Sequence, residues 1–227
     1  MSKTKRHFRK TPAKSRAVRK IVKSSKGHFV GELVYDNING RPQRLGFGSY
    51  TEFKVAICLI YRDDFADLEE QLAPLPFTHP TGRASSHFFD FRYTTKGGQR
   101  ICISVKPERI AKTFVYQQVI DSVRAAAVGN ICDVVATVTE RNINPVELHN
   151  AELYHAARKP DPVFDAVILE ALNDLDGPVS INQFLSDIGV YGGGFFSVVR
   201  AIRAGHARLF VPEEIRGKTL IERARVA

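Results

Sequence analysis

The 227-residue chain has no tryptophan, a single methionine and only three cysteines, Cys58, Cys102 and Cys132. The cysteines are odd in number, far apart and set in apolar stretches, which excludes a disulfide-framed scaffold and argues against a zinc module. They are expected to be buried thiols in a reducing compartment. The histidines, His7, His28, His79, His87, His149, His155 and His206, show no ligand spacing, so no zinc is assigned. No apolar run approaches the ~20 residues of a membrane span. The basic N-terminus is not followed by the apolar segment of a signal peptide. A soluble protein, cytoplasmic or nucleoid-associated and without a membrane partner, is the expectation.

Acidic residues are missing from the first 31 positions, which hold eleven Lys or Arg. The remaining 22 Lys and Arg face all 24 acidic residues, a net of −2, so the formal charge of +9 belongs to the N-terminal arm. So charged and so poorly apolar a segment cannot offset its ordering entropy by burial, and is expected to be flexible until a polyanion neutralises it. Nucleic acid is the expected polyanion. Arg6, Arg9, Lys10, Arg16, Arg19 and Lys20 are its candidate contacts, with a salt-dependent and sequence-independent contribution.

At 25.4 kDa there is room for one large domain or two small ones. Residues 27–35 alternate loosely and end in the turn signal Asn37-Ile38-Asn39-Gly40, which predicts a short strand or hairpin. Ser49-Tyr50-Thr51-Glu52 fits a capping box, and the nearly apolar run 53–61 reads as a core helix. Residues 71–80 carry three prolines and read as irregular or as an edge. The runs 86–93 and 100–105 flank Thr94-Thr95-Lys96-Gly97-Gly98-Gln99, a β-hairpin. A helix over 112–128, a strand over 131–139 and a helix over 145–158 complete an α/β unit.

Lys159-Pro160-Asp161-Pro162 is the expected boundary, since two prolines stiffen an exposed linker. Helices are predicted over 163–172, 181–188 and 195–204, the second opened by Ser180-x-x-Gln183. Gly192-Gly193-Gly194 forms a turn before the third, and a short strand follows at 206–212. The triglycine lacks the Lys-Ser/Thr of a phosphate-binding loop. This order suggests a winged helix or helix-turn-helix, in which Arg200 and Arg203 could face DNA.

The chemistry is expected at the hairpin. Asp90 sits in the run His87-Phe88-Phe89-Asp90-Phe91, and a carboxylate in a buried strand is costly unless something binds it. A three-residue loop over 96–98 would pair residues whose numbers sum to 194, opposing Asp90 to Ser104 and Phe88 to Lys106. Asp90, Ser104 and Lys106 would then share one face. Glu52 lies on a helical stripe with Val55, Ala56 and Leu59, so its carboxylate points toward the sheet or merely closes the helix N-terminus as a cap.

Ser49-Tyr50-Thr51-Glu52, then Gln71, then Phe89-Asp90-Phe91, then Ser104-Val105-Lys106-Pro107 resemble the PD-(D/E)xK nuclease pattern, and more narrowly the TnsA-type endonuclease subunit of heteromeric transposases. Gly27-His28-Phe29, residues 135–141 with Asn144, and Asn150-Ala151-x-Leu153 are similar to the same family. The resemblance implies an α/β fold: a restriction-endonuclease-like mixed sheet with helices on both faces (29–159), a winged-helix-like C-terminal domain (160–227) and a flexible basic arm (1–28). It implies that Glu52 and Asp90 bind Mg²⁺ or Mn²⁺, that Lys106 is the catalytic lysine, and that Ser104 stands where a Glu or Gln is expected. A serine hydroxyl is a poorer ligand for a hard cation than a carboxylate. Glu108 is a candidate helper ligand, although Pro107 would disturb its geometry.

The implied activity is hydrolysis of DNA phosphodiesters at transposon ends, beside a partner transposase subunit and an ATPase regulator. The alternatives are a stand-alone restriction-like nuclease and a non-catalytic DNA-binding scaffold with a degenerate nuclease core.

Overall fold

A computed structural model describes residues 11–19 and 29–224. The chain divides into two compact units, 1–143 and 144–227.

The first unit opens with the hairpin β1 (Gly31–Asp36) and β2 (Pro42–Phe47). The Asn37 side chain accepts the Asn39 and Arg41 N–H groups, and Gly40 takes a positive φ of 63° that closes the turn. Helix α1 (Tyr50–Ile60) follows, then β3 (Phe65–Glu70), the short hairpin β4 (Leu75–Thr78) and β5 (Ala84–His87), then β6 (Phe91–Thr95) and β7 (Arg100–Val105). The single turn α2 (Glu108–Ala111), helix α3 (Phe114–Ala127) and strand β8 (Val134–Val138) complete the unit. Strands β3, β6, β7 and β8 form a four-stranded sheet in that order, antiparallel except for the parallel pair β7 and β8.

Two apolar layers hold this sheet. One face buries Phe91, Tyr93, Ile103 and Val105 against the β1–β2 hairpin and the Val55, Ala56 and Ile60 stripe of α1. The other buries Phe89, Cys102 and Val135 against Ile120, Val123 and Ala127 of α3, with Leu75 and Phe77 of β4. The thiols of Cys102 and Cys132 lie side by side there, and burial pushes the Cys102 thiol up.

The expected register of the β6–β7 hairpin holds: Phe91 pairs with Ile103, Arg92 with Cys102 and Thr94 with Arg100. Thr95 and Gln99 close the loop, with Gly98 at φ 85° in the left-handed position that a three-residue loop requires. Beyond Phe91 the ladder departs from the expected pairing. The Asp90 N–H also donates to Ile103 O, so two residues oppose one, as in a β-bulge.

The arm expected to be flexible over 1–28 is in part docked. Ala13 N–H donates to Pro42 O, Arg44 N–H to Ala13 O, and the Gln43 amide to Lys14 O. Ser15 Oγ and the Arg16 N–H both donate to Glu70 Oε1. Acidic and carbonyl acceptors far along the sequence therefore order residues 13–19, which composition alone cannot anticipate.

The second unit comprises α4 (Pro145–Ala157), α5 (Pro162–Asn173), β9 (Val179–Ser180), α6 (Ile181–Asp187), α7 (Phe195–Arg203), β10 (Ala207–Leu209) and β11 (Leu220–Arg223). Its sheet runs β10, β11, β9, all antiparallel. The division at 143/144 falls earlier than the proline pair. Helix α4 belongs to this unit because Asn150 clasps the backbone of Glu213 and Ile215, and Ala157 is buried with Ile168 and Val198. Asp161 and Pro162 are no linker: the Asp161 side chain accepts the Phe164 N–H, and Pro162 is the first residue of α5.

Candidate active site

Glu52 enters from the first turn of α1. Ser49 Oγ accepts the Glu52 N–H at 3.1 Å, and the carboxylate returns to accept Ser49 Oγ–H at 3.0 Å and Gly48 N–H at 2.8 Å. The cap and the site are thus not alternatives. The same carboxylate that closes the helix also lies within the field of Asp90 and Lys106. Burial raises its pKa above the usual carboxylate range, the Gly48 N–H works against that, and the negative charge of Asp90 adds to the rise.

Asp90 is buried at the head of β6, where the bulge turns its carboxylate along the end of β7. Its Oδ2 accepts the Val105 N–H at 2.7 Å and stands 3.8 Å from Lys106 Nζ. Lys106 leaves β7 with its N–H donated to Val138 O of the parallel neighbour, which fixes the root of its side chain. Asp90 and Lys106 thus stand 3.8 Å apart, and Glu52 feels the charge of both.

Ser104 is placed differently. It is fully buried, its Oγ 2.8 Å from His87 Nε2 and in reach of the Tyr116 hydroxyl of α3. Tyr116 in turn bonds Thr137 at 2.8 Å. The residue at the position of the family's Glu or Gln is thus part of a buried polar chain. Burial, and secondarily the positive charge of Lys106, lower the His87 pKa to about 4, so the imidazole is neutral near pH 7. Glu108 is committed elsewhere, paired with Lys112 at 2.6 Å and Arg141 at 3.2 Å.

Among the described residues no three His, Cys, Asp or Glu side chains group closely enough to form a protein-only metal cage. Two carboxylates, each oriented by N–H donors, suit Mg²⁺ or Mn²⁺ better than Zn²⁺ or Ca²⁺. Mg²⁺ keeps several waters and takes one or two carboxylates together with substrate phosphate oxygens. Glu52 and Asp90 are the carboxylates here that could hold such an ion.

The proposed DNA contacts part company. Arg6, Arg9, Lys10 and Lys20 lie outside the described residues. Arg16 is turned onto the protein, bidentate to Asp67 at 2.8 Å through both nitrogens and bonded to Leu68 O at 2.6 Å. Arg19 donates to Gln71 Oε1 at 2.9 Å and lies over the Phe88 ring. Arg200 is consumed inside its own unit: it binds Asp165 at 2.6 Å, Ser197 Oγ, and the carbonyls of Ala157 and Lys159. It ties α7 to α5 and does not offer its guanidinium to a ligand. Arg203 stacks over the Tyr154 ring.

Sequence reasoning missed His87 and Tyr116. His87 is the one ionisable ring in an aromatic run, and Tyr116 opens the buried stripe of α3 that continues through Ile120 and Val123. Each was legible as an apolar position and neither as a partner of Ser104. The chain matches no family model and no curated protein.

Proposed function

We propose that the chain is a metal-dependent phosphodiesterase acting on DNA. Within that class we assign it as the endonuclease subunit of a TnsA-like transposition system, working beside a partner transposase and an ATPase regulator on nucleoid DNA. The observation that carries this reading is the convergence of Asp90 and Lys106 at 3.8 Å with Glu52 in the electric field of both. A structural ion pair needs no second carboxylate, and a helix cap needs no buried aspartate in front of it.

Glu52 and Asp90 are the residues that would hold Mg²⁺ or Mn²⁺, which when bound neutralises phosphate charge and acidifies a water. Lys106 presents a fixed cation to negative charge that grows on the phosphate oxygens during attack. The Val105 N–H holds the Asp90 carboxylate in place, and Gly48 with Ser49 orients Glu52, so neither must be reorganised when substrate arrives.

The second unit supports the same assignment. After α4, its order of helix α5, short strand β9, helices α6 and α7 and the β10–β11 hairpin, with β9 paired to β11, supports a winged-helix reading. The rival reading, a DNA-binding scaffold with a lapsed core, draws on Ser104, whose hydroxyl is buried and bonded to His87.

The test is cleavage of supercoiled plasmid with Mg²⁺ or Mn²⁺, with and without transposase partners, for wild type, Asp90→Asn and Lys106→Met. Metal-dependent nicking that drops at least 100-fold in both variants is expected. DNA binding that persists without any cleavage, and is indifferent to both substitutions, would install the scaffold instead.

A further inference from the structure

Gln71 is the only residue other than glycine among those described with a positive φ, 45°. Side chains rarely adopt that conformation, and it persists only where the surroundings over-determine it. Those surroundings lead to the site. The Gln71 N–H donates to Asp90 O at 2.8 Å, Leu72 N–H to Phe89 O at 3.1 Å, and the Gln71 amide lies 3.5 Å from Asp90 Oδ1. On its other side, Gln71 O accepts the Val18 N–H at 3.0 Å and its Oε1 accepts Arg19. Arg19 also covers the ring of Phe88, two residues before Asp90. Gln71 is 3% exposed, so this hub is sealed between the docked N-terminal segment and the bulge.

We propose that Gln71 is a positioning residue for Asp90, and that residues 15–19 form a strap whose docking sets the geometry of the site. This deepens the nuclease reading and rests on it for its meaning. It also gives a basic residue of the arm a role other than contact with DNA. Arg19, docked, completes the hold on Asp90 through Gln71. If a partner protein or DNA draws the arm away, the Arg19 and Val18 bonds to Gln71 are lost, and Asp90 loses its outer support.

The experiment compares wild type, Asp90→Ala, Gln71→Gly and Arg19→Ala in the full chain. Gln71→Gly suits the observed φ and keeps the backbone donor, so it removes only the side chain. Arg19 is exposed and its loss leaves the core intact. Three quantities are read: Mn²⁺ affinity by water-proton relaxation, exchange of the Val105 amide that Asp90 caps, and DNA affinity in EDTA.

The expected result is a roughly 10-fold weaker Mn²⁺ site in Gln71→Gly and Arg19→Ala, with faster Val105 exchange and unchanged DNA affinity, the size of effect typical of residues that orient metal ligands. Wild-type Mn²⁺ affinity together with wild-type Val105 exchange in Gln71→Gly would overturn the proposal. So would weakened DNA binding in Arg19→Ala with no change in the other two readings. If wild type and Asp90→Ala bind Mn²⁺ equally poorly, the nuclease reading fails by itself, and Val105 exchange still decides whether Gln71 holds Asp90.

Discussion

His87 and Ser104 share a hydrogen bond of 2.8 Å between imidazole Nε2 and hydroxyl, and neither residue's sequence context announces the other. The bond joins the last residue of β5 to the next-to-last residue of β7. It turns the serine away from metal chemistry and into the packing beneath Lys106.

On the nuclease reading, Ser104→Ala should therefore act on stability and leave cleavage intact. Removing the hydroxyl leaves His87 without its partner in a half-buried place, at a cost of about 1–2 kcal/mol. Cleavage per folded molecule should stay within about threefold of wild type by the mutant-kinetics comparison. Urea denaturation and plasmid nicking on the same preparation check both halves.

His87 also makes a pH signature. Its folded pKa of about 4 lies below the ordinary 6.5, so the unfolded chain takes up the proton first on acidification. The contribution to stability is complete above pH 6.5 and is lost as pH falls toward 4. After allowance for partial exposure it amounts to about 1–2 kcal/mol. Glu52 works with the opposite sign, because its pKa is raised. The difference between wild type and His87→Gln isolates the histidine: urea midpoints measured from pH 7.5 to 4.5 should fall more steeply in wild type.

Arg200→Ala should unfold the second unit sooner without a DNA-binding phenotype of its own. The substitution removes the guanidinium from Asp165, Ser197 and two carbonyls and leaves the half-buried Asp165 carboxylate with the Asp161 N–H alone among these partners. A loss of about 2–3 kcal/mol is expected. Thermal denaturation reads the loss, and DNA affinity at a temperature where the variant is folded should equal wild type.

The triglycine turn separates its members. A Cβ on Gly194 would lie 2.6 Å from Val190 Cγ1 and 2.7 Å from Leu185 Cδ2, whereas one on Gly192 meets nothing within 4 Å. Gly194→Ala should cost about 1–3 kcal/mol through overpacking. Gly192→Ala should be neutral within about 0.5 kcal/mol, as surface substitutions usually are. Denaturation midpoints of the two variants decide it.

What was legible followed from local chemistry. Gly98 in its three-residue loop fixes the β6–β7 register, and Ser49 and Ser180 announce the starts of α1 and α6 through their caps. What escaped depended on partners distant in sequence. Strand β3, which the sequence pattern leaves unassigned, holds Asp67, Glu69 and Glu70, an acidic run that Arg16, Arg92 and Ser15 meet from distant segments. The bulge at Asp90 and the inward turn of Arg200 are likewise settled by packing that no window of sequence contains. Asp90 and Lys106 were legible as charged residues of one hairpin, but their 3.8 Å approach follows from the bulge and not from the predicted pairing. The hold of Gln71 was not legible, since it joins segments some fifty residues apart.

Strand β7 lies between β6 and β8, hydrogen-bonded along both edges, and Lys106 leaves it already anchored to Val138. A slip of this strand would break two ladders together and carry every buried side chain to the wrong face. Lys106 is therefore the fixed reference of the site. The two carboxylates rest on other segments: Glu52 on the turn before α1, and Asp90, through Gln71, on the docked residues 18 and 19. Their placement depends on the beginning of the chain, whereas that of Lys106 depends on the centre of the sheet.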